Sequence, residues 1–190
     1  MNKQDLNINE YDIYYKRYID KLSDKTELRK GFEIGKNNAI NFFKSIPNEK
    51  LTYRYQPEKW SIKEVLQHLI DTERIFMYRC FRIARRDTTA LAGYYQNIYV
   101  DPSDAHTKSI EDLLNEFTIN RDHSISLLNN LTDEDLCFVG NANGSATSAR
   151  AAADSTARSS AGFRGRYRAR SGSTPANGAR AGRRSARTRC

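Results

Sequence analysis

The chain has 190 residues, 38% of them hydrophobic, with 31 Lys and Arg against 23 Asp and Glu. A chain of this size forms one domain and can bury a core without disulfide or metal staples, while the lack of any run of about 20 apolar residues excludes a helical membrane span. The polar segment Met1 to Glu10 has no apolar core of a signal peptide, so a cytoplasmic location is expected.

The first amphipathic stretch is short, with Tyr11, Tyr14, Tyr15, Tyr18 and Leu22 at helical spacing. A longer helix is expected from about Asp24 to Lys44, carrying Leu28, Phe32, Gly35, Ala39, Phe42 and Ile46 on one seam, with Pro47 just beyond its end. The next begins at Ser61-Ile62-Lys63-Glu64, a capping box in which the Ser61 hydroxyl and the Glu64 carboxylate satisfy each other's backbone N–H. Trp60 and Val65 stand where a hydrophobic staple would. Apolar residues then recur from Ile62 through Leu66, Leu69, Phe76, Cys80 and Ile83, which predicts a helix ending around Arg86. A third long helix should be capped by Ser109, with Asp112 at its third position, and run through Leu113, Phe117 and Leu128 to Leu131. No alternating run closed by an Asn-Gly or Asp-Gly turn precedes Asn143-Gly144, so strand signals are absent and the pattern is that of an all-α bundle.

Composition changes abruptly near Ala153. Residues 1–150 carry a net charge of −1, whereas residues 151–190 hold ten Arg and one Asp, for a net +9. After Ala153 there is no Lys, Leu, Ile, Val or Met. Such a stretch cannot bury enough apolar surface to offset its ordering entropy, and disorder is expected over 154–190 beside a body spanning 1–153. One reading is a nucleic-acid-binding tail in which Phe163 and Tyr167 stack bases among Arg164, Arg166, Arg168 and Arg170. The other, favoured here, is a segment unrelated to the body. A switch from residues with AT-rich codons to residues with GC-rich codons points to a chimeric junction or a change of reading frame.

Few residues offer chemistry. Cys80, Cys137 and Cys190 form no Cys-x-x-Cys pair, which argues against a disulfide framework or a cysteine zinc site. His68 falls at the edge of the apolar face of its helix, beside Thr72 and Arg79, and by periodicity alone reads as a partly exposed structural histidine. His106 falls in a loop and His123 off the apolar stripe of its helix. Glu73 and Arg121 interrupt apolar stripes, and a charge so placed is rarely left unpaired. A Glu73–Arg121 bridge between helices is expected, with a polar pocket lining as the alternative.

The segment from Tyr55 to Arg74, with Trp60-Ser61 followed by His68-Leu69-Ile70-Asp71-Thr72-Glu73, resembles the DinB-like (YfiT-like) metalloprotein superfamily. Further likeness comes from Tyr14 to Ile19, from Arg79 to Asp87 followed by Leu91-Ala92-Gly93-Tyr94, and from Ser109 to Leu131. The resemblance implies an up-down four-helix bundle holding nickel or zinc on three histidines. One stands on the second helix, where His68 matches, and two stand four apart on the last helix. It implies a metal-dependent hydrolase or a low-molecular-weight-thiol S-transferase, with a small-molecule substrate or thiol as partner, no membrane partner, and room for a homodimer. This chain has no histidine after His123. The fourth helix is therefore expected to be missing or degenerate, and the site incomplete. A metal-free interaction module and a nucleic-acid-binding protein acting through the tail are the competing functions.

Overall fold

The computed structural model describes residues 1–20 and 26–156. Leu22 and Asp24, Cys190 and the expected disordered tail from residue 157 onward lie outside the described residues, as does the side chain of Tyr18. The described elements are helices α1 (Ile13–Ile19), α2 (Leu28–Lys44), α3 (Ile62–Ala84), α4 (Ile110–Asn129) and α5 (Asp133–Cys137), strands β1 (Val139–Ala142) and β2 (Ser145–Ser148), and a helix α6 at residues 149–156. Short 3-10 turns connect them.

Local chemistry sets the helix boundaries. α2 starts at Leu28, later than its periodicity suggests, because Glu27 caps it: the Glu27 backbone is extended and its carboxylate accepts from the Lys30 N–H. The capping box of α3 is formed: the Ser61 hydroxyl accepts from the Glu64 N–H at 3.3 Å and Glu64 accepts from the Ser61 N–H at 2.6 Å. α3 stops at Ala84, slightly before the expected end, in a left-handed turn at Arg86 (φ 64°). There the Arg86 and Asp87 N–H groups donate back to the Ile83 and Arg82 carbonyls, the double bond of a Schellman motif. α4 is capped by Ser109 as its sequence predicts, the hydroxyl accepting from the Asp112 N–H at 3.0 Å. It ends at Asn129, and Arg29 of α2 donates to the Leu128 carbonyl in the last turn and the Leu131 carbonyl just past it while pairing with Asp133.

The two strands correct the strand-free reading. Asn143 (φ 55°) and Gly144 (φ 79°) form the two central residues of a tight hairpin turn, both in the left-handed region that such turns require. The hairpin is anchored by a parallel bridge to Leu91, whose N–H donates to the Asn141 carbonyl and whose carbonyl accepts from the Asn143 N–H. β1 lies so close to α3 that a Cβ on Gly140 would stand 2.9 Å from the Ile83 side chain. The hairpin delivers the chain into α6, whose Ala149, Ala152 and Ala153 are buried.

The core forms two clusters. One gathers Leu28 and Phe32 of α2, Met77, Cys80 and Ile83 of α3, Leu128 of α4 and the α6 alanines. The other gathers Ala39 and Phe43 of α2, Leu66, Leu69 and Ile70 of α3, and Leu113 and Phe117 of α4. Phe43 rather than Phe42 is the fully buried ring near the end of α2. At the N-terminus, Glu10 pairs bidentately with Arg150, at 2.7 and 2.5 Å, and Asp12 accepts from the Ser145 hydroxyl at 2.8 Å, fastening the first residues over β2 and α6.

Candidate metal site and its surroundings

His68 lies on α3 one turn before Thr72, because residues four apart share a helical face. Its imidazole is half-buried, and the Thr72 hydroxyl stands 3.3 Å from Nδ1. The Tyr94 hydroxyl, reaching in from the loop after α3, donates to the Thr72 Oγ1 at 3.4 Å. The two ring nitrogens stand 3.3 Å (Nδ1) and 3.5 Å (Nε2) from the same Oγ1, and the direction of the hydrogen bond follows the tautomer of the ring. Burial pushes the His68 imidazole down to about 4, so the ring is neutral at physiological pH and keeps a lone pair, the state that metal ligation requires. Trp60, placed by its sequence position in a staple with Val65, lays its ring against His68 with centroids 4.6 Å apart.

Around this relay stands an aromatic wall. Tyr15 of α1 meets Phe76 edge-on at 5.8 Å, Phe76 meets Tyr94 at 6.5 Å, and Tyr94 stacks on Tyr99 at 5.8 Å. The Arg79 guanidinium lies over the Phe76 and Tyr94 rings, 5.1 and 5.6 Å from their centroids, and donates to the Ala92 carbonyl at 2.7 Å. Burial pushes the Tyr15 and Tyr94 hydroxyls up, against the opposing charge of Arg79, so both stay protonated.

Glu73 and Arg121 form the expected bridge. Each side chain is 1% exposed, and Arg121 donates to both Glu73 oxygens, its Nε at 2.7 and 2.9 Å and its Nη2 at 2.7 Å. The guanidinium also donates to the Phe32 carbonyl of α2 and lies between the Phe32 and Phe117 rings. The pair therefore joins α2, α3 and α4 between the two apolar clusters, with both side chains sealed from solvent.

The other two histidines are not brought to His68. His106 is exposed in the loop before α4 and His123 is exposed on α4 itself. Among the described residues no three His, Cys, Asp or Glu side chains are grouped to hold a metal ion. Cys80 is sealed in the core with its thiol pushed up to about 12 by burial, which removes it as a ligand or nucleophile.

A family model of the DinB superfamily matches residues 32–157. The chain belongs to the DinB superfamily. Its fold is similar to that of YfiT from Bacillus subtilis, a probable metal-dependent hydrolase with an unusual four-helix bundle topology. The similarity has a TM-score of 0.65 at 16% identity, covering 87% of this chain and 97% of YfiT. No curated protein matches the chain. Among the described residues no helix is long and apolar enough to cross a membrane. Measured against the three histidines that the DinB resemblance implies, the donor set present does not fit. The single imidazole of His68 has no second strong ligand beside it among the described residues, and the sequence beyond them contains no histidine.

Proposed function

We propose that this chain is an incomplete DinB-type metal protein. It keeps the first histidine of the site and the aromatic wall beside it, and lacks the pair that would complete a centre for metal-dependent hydrolysis or low-molecular-weight-thiol transfer. The observation that carries the reading is the state of His68: neutral, half-buried, oriented by Thr72 and Trp60, and remote from His106 and His123. One imidazole does not hold a catalytic metal tightly, since stable sites use three or four protein ligands. The chain as written is therefore read as catalytically inactive, with a pocket suited to a small molecule. The native ion of a complete relative would be nickel or zinc. Calorimetry with zinc and with nickel at neutral pH tests this: binding no tighter than about millimolar is expected. One tight stoichiometric site, abolished by His68→Ala, would overturn it.

A second reading concerns residues 154–190, whose ten Arg against one Asp give them a net +9 while the rest of the chain is close to neutral. Association with nucleic acid through this segment would be electrostatic and independent of base sequence. The same experiment, run with DNA in place of metal at low and physiological salt, separates it from the first.

A further inference from the structure

Arg79 is 4% exposed and, among the described residues, has no carboxylate partner. A guanidinium carries five N–H donors, and of these the Ala92 carbonyl takes one, from Nη2. Elsewhere in the molecule the buried arginine is neutralised: Arg121 holds Glu73 bidentately in the core. A buried cation without a counter-charge is expensive, because low-dielectric surroundings withdraw the hydration it had in the unfolded chain. Aromatic faces repay part of that cost, and Arg79 has two of them, Phe76 and Tyr94. What it lacks is an anion.

Placement says where the anion would go. His68, Thr72, Phe76 and Arg79 lie at positions i, i+4, i+8 and i+11 of α3, one face of the helix, and helical side chains lean toward the N-terminus, here toward His68. Tyr94 spans the interval, with its ring under the Arg79 guanidinium and its hydroxyl on Thr72. We propose that Arg79, flanked by Phe76, Tyr94 and Tyr15, is the anion-binding subsite of this pocket and takes the carboxylate of a small monoanionic ligand. A carboxylate fits for two reasons. The guanidinium fork pairs with its two coplanar oxygens, and a single charge neutralises a single arginine where a dianion would leave an excess in an aromatic enclosure. The Tyr15 hydroxyl, held protonated, is a further donor on the same wall, while the Tyr94 hydroxyl is engaged with Thr72. The assignment extends the reading of the His68 face as the ligand pocket, but needs no metal.

The test uses the full chain with a chelator present and acetate as probe, followed by NMR. The Gly93 amide shares its peptide group with the Ala92 carbonyl that Arg79 holds, and so reports the state of the guanidinium. Acetate should shift it along a saturating curve, whereas neutral acetamide should not. Arg79→Gln should weaken the apparent affinity about tenfold or more, and Arg79→Lys, which keeps the charge but loses the fork, should weaken it less while preserving the remaining amide spectrum. His123→Asn, on the exposed side of α4, should leave the acetate titration in place. Equal responses to acetate and acetamide, an unsaturated response, or unchanged affinity in Arg79→Gln would overturn the proposal. So would loss of binding in His123→Asn, by moving the anion to that exposed imidazole. Tight zinc binding at His68 would overturn the incomplete-site reading while leaving the acetate result intact.

Discussion

At the scale of single residues, Glu73 and Arg121 define the interior. Both lie in the heart of a helical core, and their attraction offsets the loss of water only because the geometry is bidentate and a backbone carbonyl takes a further N–H. Removing one partner strands the other. Glu73→Ala should cost about 3 to 5 kcal/mol in urea denaturation, whereas replacing both residues together by leucine should cost far less. A small loss in the single variant would show that water reaches the pair. The bridge was readable in the sequence because each charge interrupts an otherwise apolar stripe. The relay on His68 was readable only in part: Thr72 stands one turn away, but Tyr94 arrives from a loop 22 residues later, a contact that no local periodicity encodes.

Elements start and stop where short-range chemistry dictates, and α3 shows how far that carries. Its capping box was legible in four residues, and the Arg54 guanidinium adds a third partner to Glu64 at 2.5 Å. Burial pushes the Glu64 carboxyl up, but the Ser61 N–H and hydroxyl and the Arg54 guanidinium together hold it below its ordinary 4.5. A carboxyl depressed in the folded state stabilises the fold above its unfolded value and loses that contribution as pH falls through the folded one. Glu64→Gln should therefore cost about 1 kcal/mol at neutral pH, with the difference from the parent shrinking progressively below about pH 4.5. Thermal melts across that range check it; a cost independent of pH would assign the effect to packing. The hairpin was not legible. Its strands have four residues each, with Val139 and Thr147 the only β-branched ones, and the pairing that anchors it comes from Leu91, distant in sequence.

On the scale of the whole molecule, the weak side of the core faces α6. A bundle helix ordinarily presents about six apolar side chains, each contributing roughly 1.5 to 3 kcal/mol on burial, and a domain is stable by only about 5 to 15 kcal/mol. α6 gives the core Ala149, Ala152 and Ala153, and no Leu, Ile, Val or Met follows them. Phe32, Met77 and Leu128 share that cluster with the alanine methyl groups, each of which contributes less on burial than a longer side chain would. The protein should bind a dye specific for exposed apolar surface and unfold over a broad temperature range. A sharp cooperative transition with little dye binding would show that three long helices and the hairpin suffice to close the core.

The clasp between Glu10 and Arg150 joins residues 140 positions apart, which has a consequence for the order of events during synthesis. Ribosomes add about 5 to 20 residues each second, so Glu10 waits roughly 7 to 30 seconds before its partner exists. By then α2, α3 and α4 have all been made, while Glu10 and Asp12 have had no partner to dock on. The clasp therefore forms last. It lies at the margin of the apolar clusters, so the two ends of the described chain should come apart together, ahead of the helices they cover.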